Sequence, residues 1–324
     1  MPATRWSLTS KQVQDATSHT LLTELVASCY FLPMPGIPGE RLPTTLYHYT
    51  DIYGLQGIYE KGELWATHGL YLNDTSEISL GLSSIQIEIL RRYNSILEKR
   101  SNEFEQGNDP GPPSSEMVEL DILRGLFDDY GKYSECYVVS LSAVGDQLSQ
   151  WRAYAKDGYC IGFSTVELRK TLTDNQYIGR VKYNSKSWEA IARKNVQLSR
   201  RLWRESVDWG FEDKVRRFMV MNEIVKAAAF LKDSHFDEEK EIRIVEAHAI
   251  ANHFTPSVRF GMTPRIKIPI TARSISTVTV GPGVHADLRA QSLIRYFSRT
   301  RFKGNPALKH EPTVRKSVIP YRDW

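Results

Sequence analysis

Ten short stretches of strand character punctuate the chain at uneven intervals: "TLYHYT" (45–50), "ELWAT" (63–67), "CYVVSLSA" (136–143), "YCIGFS" (159–164), "YIGRVKYN" (177–184), "EIRIVEAHA" (241–249), "SVRFG" (257–261), "PRIKIPI" (264–270), "ISTVTVG" (275–281) and "TVRKSVI" (313–319). Helical patterns of very different lengths separate them. There is no internal repeat and no regular strand–helix alternation, so a doubly wound parallel sheet is not expected. The pattern predicts an α+β protein with a largely antiparallel, split sheet and inserted helices.

An apolar stripe at helical spacing, with Val13, Ala16, Leu21, Leu22, Leu25, Val26 and Cys29, predicts a helix over 10–30. "PMPGIPGERLP" (33–43) then breaks all regular structure. The expected organisation is an N-terminal helix and linker, 1–43, followed by one α+β domain, 44–324. Within it, 101–116 reads as an acidic polar loop and 186–232 as a pair of inserted basic helices. Asp51 and Gly62 fit the N-cap and C-cap of a helix between the first two strands.

The hydrophobic fraction of 41% and the charged fraction of 25% are those of an ordinary globular protein. The net charge of +4 is too small to mark a nucleic-acid binder, but the charges are unevenly placed. Residues 101–130 carry eight acids against Arg124 alone, and residues 285–324 carry nine bases against three acids. Cys29, Cys136 and Cys160 are widely spaced among apolar neighbours, which reads as reduced thiols in a cytoplasmic protein. The apolar run from Leu25 to Leu32 is far short of the ~20 residues a membrane-spanning helix needs, so no membrane association is expected.

Several chemistries lack their motifs. There is no HExxH, CxxC, GxSxG or GxxxxGK[ST], and His248 and His253 have no cysteine nearby, so no metal site is expected. "GPGVHAD" (281–287) reads as a plain turn or a phosphate-binding loop before a helix.

Three polar clusters remain. On the first strand, alternation sends His48 to the side opposite Tyr47 and Tyr49. In "HGLYLNDTSE", Asp74 or Thr75 suits a helix cap, whereas a cap requires neither Tyr71 nor Asn73. In "EEKEIRIVE", Glu239, Glu241 and Arg243 share one strand face, a costly set to bury without a purpose. Arg243 is placed to fix a carboxylate and keep it ionised. Arg152 in "SQWRAY" suits either a phosphate or packing on Trp151 or Tyr154. Arg200, Arg201 and Arg204, interleaved with Trp188, Trp203 and Trp209, form a candidate nucleic-acid surface or a solvated face over an aromatic core.

The phrases "LYHYT", "LWAT…LYLNDTSE", "SQWRAYAKDGYCIGFS", "VKY", "FLKDSHFDEEKEIRIV", "VTVGPG" and "KSVIPYR", in that order, resemble the bacterial domain-of-unknown-function family 2971 over most of residues 44–322. The opening strand–helix–strand is in turn similar to ADP-ribosyltransferase folds of the His-Tyr-Glu type. That resemblance implies an ADP-ribosyltransferase-like split sheet and NAD as substrate. It matches His48 to the histidine on the nicotinamide ribose, and Tyr71 to the aromatic stacking on nicotinamide, with Trp65 or His68 as alternatives. Glu241 or Glu239 matches the carboxylate on the ribose hydroxyl. Tyr49, Asn73, Arg152 and Arg243 are the further cofactor-binding candidates.

The expected function is therefore an NAD-dependent ADP-ribosyltransferase-like intracellular effector, of toxin or anti-phage type by analogy, with a nucleic-acid or protein acceptor. The rival expectation is a catalytically silent module that binds nucleic acid or protein.

Overall fold

The computed structural model describes residues 41–72, 76–129, 135–247, 249–305 and 310–320. The expected helix over 10–30, most of the linker, and Asn73 of the cofactor-binding set lie outside the described residues.

Local chemistry sets the first unit. After β1 (Thr45–Thr50), the Asp51 carboxylate accepts from the Gly54 N–H at 2.7 Å and starts α1 (Ile52–Lys61). Gly62 adopts φ 63°, donates to the Ile58 carbonyl and ends the helix, leading directly into β2 (Glu63–His68).

The remaining strands are β3 (Cys136–Ser142), β4 (Tyr159–Ser164), β5 (Gln176–Arg180), β6 (Glu241–Ala247), β7 (His253–Ser257), β8 (Gly261–Pro269), β9 (Ile275–Val280) and β10 (Thr313–Lys316). They form one sheet in the order β10-β9-β4-β1-β3-β2-β8-β7, with β6 pairing β3 and β5 beside this path. β9 and β10 pair in parallel, and the other ladders among the described residues are antiparallel. The protein is thus a mixed α+β structure on a ten-stranded mixed sheet. "SVRFG" is not a strand of its own: it spans the end of β7, a turn and the first residue of β8.

Helices cover both faces. On one side, α2 (Ser76–Glu105), α3 (Ser115–Gly125), α6 (Ser185–Asp208) and α7 (Asp213–Ala228) enclose a core that includes Ile85, Leu123, Val196, Phe218 and Ile224 and reaches Val138 and Val245 of the sheet. On the other, α1 and α8 (Ala286–Arg299) pack Tyr59, Leu293 and Phe297 on Leu46, Ile161, Ile242 and Ile268. Each fully buried aliphatic side chain contributes about 1.5–3 kcal/mol of transfer free energy, so these two cores hold the sheet between them. Two short helices, α4 (Leu148–Tyr154) and α5 (Thr165–Arg169), flank β4.

The acidic segment differs from the expected loop over 101–116. α2 runs through Glu105, and Ser114 caps α3 by accepting from the Met117 N–H at 3.3 Å. Arg100 fastens the intervening turn through the carbonyls of Pro110, Gly111 and Pro112, at 3.1, 2.6 and 3.1 Å.

Candidate functional site

The sheet branches at β3. One edge pairs with β6 from Cys136↔Ala247 to Ser142↔Glu241. The other edge is divided: Ser142 pairs with Tyr47 of β1, whereas Val138 and Tyr137 pair with Thr67 and His68 of β2. Between those two ladders, Val139, Ser140 and Leu141 have no strand partner on that edge. β1 and β2 diverge there, with α1 joining them across the gap. A cleft of about 850 Å³ opens at this branch, within the range of ordinary ligand sites. His48, Tyr71, Glu239 and Glu241 all line it, as do Trp65, Ser140, Tyr154, Lys232 and Arg265.

Side chains at paired positions share a sheet face. The ladders Arg265↔Thr67, Thr67↔Val138, Ser140↔Arg243 and Ser142↔Glu241 therefore place these residues on the side that carries α2, α3, α6 and α7. Ile242 and Ile244 point the opposite way, into the core under α1 and α8.

The two glutamates meet at one ammonium. Lys232, just beyond α7, donates to Glu239 at 2.6 Å and to Glu241 at 3.1 Å. Between the glutamates, Lys240 takes φ 45° and ψ 45°, a left-handed conformation that costs a non-glycine residue about 1–2 kcal/mol. Its carbonyl accepts from the Ala143 N–H at 3.0 Å, and the Glu239 carbonyl accepts from Ser142 Oγ at 2.8 Å, so two contacts from the end of β3 hold the turn.

Glu241 is almost entirely enclosed. Arg243 donates to both its oxygens, Nε to Oε1 at 2.7 Å and Nη2 to Oε2 at 3.0 Å, while Nη1 donates to the Ala229 carbonyl at 2.6 Å. Burial pushes the Glu241 carboxyl up. The Arg243 charge and its hydrogen bonds, Lys232, and the neighbouring Ser140 side chain outweigh that and hold it at about 2. Glu239 is the more open of the pair, with 13% of its side chain exposed against 5% for Glu241. It accepts from Tyr154 Oη at 3.0 Å in addition to Lys232.

Across the gap, His48 Nδ1 lies 3.2 Å from the Ser140 carbonyl oxygen. A carbonyl only accepts, so the proton sits on Nδ1. Burial lowers the His48 pKa below its ordinary value, and the Ser140 bond offsets this in part. A neutral ring with its proton on Nδ1 leaves Nε2 as an acceptor. Ser140 thus stands between the two ends of the site, its carbonyl on His48 and its strand partner Arg243 on Glu241.

The aromatic residues separate by role. Tyr71, in the turn Gly69–Tyr71 after β2, lines the cleft and meets His68 and Phe260 edge to face, at 5.7 and 6.0 Å between ring centres. Trp65 also lines the cleft, but His253 packs on it at 4.5 Å and Lys61 stands 5.0 Å from its ring centre. His68 is buried behind them, accepting from the Leu70 N–H at 3.2 Å and packed edge to face on Tyr137. Tyr49 borders the cleft, yet its hydroxyl donates to the Val144 carbonyl and accepts from the Gln147 N–H, and its ring packs on Trp151. Its interactions fix the segment leading into α4 and do not present a group to a ligand.

Other candidates are not brought to the cleft. Arg152 is exposed on α4 and does not line it, because the helix turns Trp151 inward at that point. Arg243 is only 1% exposed and acts through Glu241, not on a ligand directly. The basic helix is matched by acids: Arg200 pairs with Glu116 at 2.5 Å and Glu119 at 2.8 Å, Arg204 with Glu119 at 3.0 Å, and Arg201 with Glu205 at 2.6 Å. The tryptophans pack inward, Trp203 buried under Arg216 and Trp188 donating to the Lys182 carbonyl at 2.7 Å. This arrangement has the aromatic core of the alternative reading, with Arg200 and Arg204 tying α6 to α3.

Three residues of the site carried no clear sequence signal: Ser140, Lys232 and Arg265. Lys232 left the best trace, a lysine closing the apolar run "AAAFL".

The fold and the cleft define a mixed α+β protein with a polar, histidine- and carboxylate-bearing site at a branched sheet. Residues 150–244 match the model of the family described as Protein of unknown function (DUF2971), which bears out over that stretch the resemblance read from the sequence. The matched segment contains Tyr154, Lys232, Glu239, Glu241 and Arg243. No curated protein and no solved structure matches the chain. Among the described residues, no helix is long and apolar enough to cross a membrane.

Proposed function

We propose that the protein is an NAD-using, ADP-ribosyltransferase-like enzyme. One observation carries the reading: His48, Tyr71, Glu239 and Glu241, far apart in sequence, line a single cleft where the sheet branches.

In this reading the bond between nicotinamide and C1′ of its ribose breaks, and nicotinamide leaves with the bonding electron pair. The sugar carries the positive charge until an acceptor nucleophile adds at C1′ and loses its proton. A carboxylate held in a dry cleft stabilises that charge. Glu239 is the residue we assign to it, being the more exposed carboxylate and oriented by Tyr154 and Lys232. Glu241, enclosed by Arg243, Lys232 and Ser140, holds Lys232 in place and thereby positions Glu239. Neutral His48 accepts a ribose hydroxyl at Nε2, and Tyr71 offers its ring to nicotinamide.

The setting we infer, an intracellular effector of toxin or anti-phage type acting on a protein or nucleic-acid acceptor, rests on fold-level analogy alone. The test is to incubate purified protein with NAD labelled on the ADP-ribose and with protein, RNA and DNA fractions of a cell extract. Label transferred to one fraction, with stoichiometric nicotinamide release, supports the reading. Absence of both NAD binding and nicotinamide release overturns it.

A further inference from the structure

The carboxylates of the cleft are matched by cations at the β3–β6 end. The opposite wall is different. Arg265, on β8, lines the cleft with a half-buried guanidinium. Its partners are two neutral hydroxyls: Nε donates to Thr255 Oγ1 and Nη1 to Thr67 Oγ1, each at 2.8 Å. Among the described residues, no carboxylate lies within ion-pair distance of it. That contrasts with Arg200, Arg204, Arg217 and Arg243, each of which holds an acid. Withdrawing a guanidinium from water without an opposing charge is costly, and the hydroxyls compensate only part of it. Burial is the one influence that shifts the Arg265 pKa, and it lowers it.

A second cation stands on the same wall. Lys61, in the last turn of α1, lines the cleft beside the Trp65 ring and has no acid at ion-pair distance among the described residues. Aromatic surface accompanies the pair: Trp65 lies next to Lys61, and Tyr53 lines the cleft while 79% exposed. Two unmatched cations beside accessible rings suit a ligand that joins phosphate to a flat base. The two acids nearest Lys61 by sequence are engaged elsewhere: Glu60 accepts from Gln56 Nε2 at 3.0 Å and from Tyr296 Oη at 2.9 Å, and Glu63 accepts from Trp65 Nε1 at 2.9 Å and faces Lys267 at 3.6 Å.

We infer that Arg265 and Lys61 form an anion subsite that binds the diphosphate of a nucleotide at the β2–β8 wall of the cleft. The two threonines orient the guanidinium and leave its remaining N–H groups for phosphate oxygens, the planar pairing for which arginine is suited. The inference deepens the proposed function by supplying the phosphate contact that Arg152 does not provide, and it rests on that reading only for the identity of the nucleotide.

Calorimetric titration of the full chain with inorganic pyrophosphate, ADP, adenosine and NAD tests it. Wild type should bind ADP and pyrophosphate. Arg265→Gln should lose about ten- to a hundredfold in affinity for both, the effect of removing one charge-assisted contact, with adenosine unchanged. Lys61→Gln, a change at a helix surface that does not threaten folding, should weaken both in the same direction. Arg265→Lys should recover part of the loss. Wild-type affinity for ADP in both Gln variants, or no pyrophosphate or ADP binding by wild type at millimolar concentration, overturns the subsite. Binding of ADP that depends on Arg265, without binding or cleavage of NAD, supports the subsite and overturns the NAD reading. Binding of NAD that neither variant weakens does the reverse.

Discussion

His48 donates from Nδ1 to the Ser140 carbonyl across the gap in the sheet, and Ser140 pairs on the next strand with Arg243, which holds Glu241. One residue of an unpaired strand edge thus lies between the imidazole and the arginine that holds the buried carboxylate. The link exists because β1 and β2 part company at this edge, leaving the carbonyl of Ser140 for a side chain instead of a backbone N–H.

Burial should keep His48 neutral to a lower pH than an ordinary imidazole. Burial lowers its pKa from 6.5, so the folded state takes up its proton later than the unfolded chain does. The stability tied to the neutral ring is complete above 6.5 and declines as pH falls below that value. Carbon-detected histidine titration by NMR, with His48→Gln for assignment, should place the His48 midpoint below 6.5. A midpoint above that value would contradict the burial argument.

Glu241 should matter to stability before it matters to chemistry. Replacing it by Gln leaves Arg243 and Lys232, both buried, with one carboxylate fewer. Stranding a buried charge in this way typically costs about 3–5 kcal/mol. Urea unfolding of Glu241→Gln should show a loss of that order, and Lys232→Met in the same background should restore part of it. The depressed carboxyl also supplies stability that is complete above 4.5 and is lost as pH falls towards about 2, so the variant should show a flatter acid limb. A variant as stable as wild type would show that the cluster is not closed as described.

Arg200 and Arg204 should act as structural fasteners. Together they match the buried Glu119, and Arg200 also holds Glu116. The triple replacement of Arg200, Arg201 and Arg204 by Gln should lower stability by about 3–5 kcal/mol through the stranded carboxylate, and Glu119→Gln should recover part of it. Chemical denaturation decides the point. Unchanged stability, together with loss of a salt-sensitive nucleic-acid gel shift, would return these arginines to the nucleic-acid reading.

Local features of the fold were legible in the sequence. Asp51 and Gly62 cap α1 as their chemistry requires, and "TLYHYT", "ELWAT", "CYVVSLSA" and "EIRIVEAHA" each contain a strand. His48, Tyr71, Glu239 and Glu241 were legible as polar or aromatic residues that a core does not require. What remained hidden depends on long-range pairing. The branch at β3 arises from ladders between residues 69 to 111 positions apart, and no local pattern encodes it. Ser140 and Arg265 became site residues only through that branch. Arg152 was misplaced by one helical position, because Trp151 took the inward direction. The acidic segment and the basic helices were each visible in the sequence, but their mutual pairing through Glu119 and Arg200 was not.

The central claim is that the cleft cleaves NAD with Glu239 as its carboxylate. Nicotinamide release by wild type and by Glu239→Gln, measured under saturating NAD with folding verified by circular dichroism, tests it most directly. The expected result is measurable release by wild type and a loss of about 10²–10³-fold in kcat in the variant, with the melting temperature little changed, since Glu239 is the more exposed member of the pair. Wild-type turnover that Glu239→Gln retains in full would contradict the assignment, and a wild type that releases no nicotinamide would contradict the claim itself.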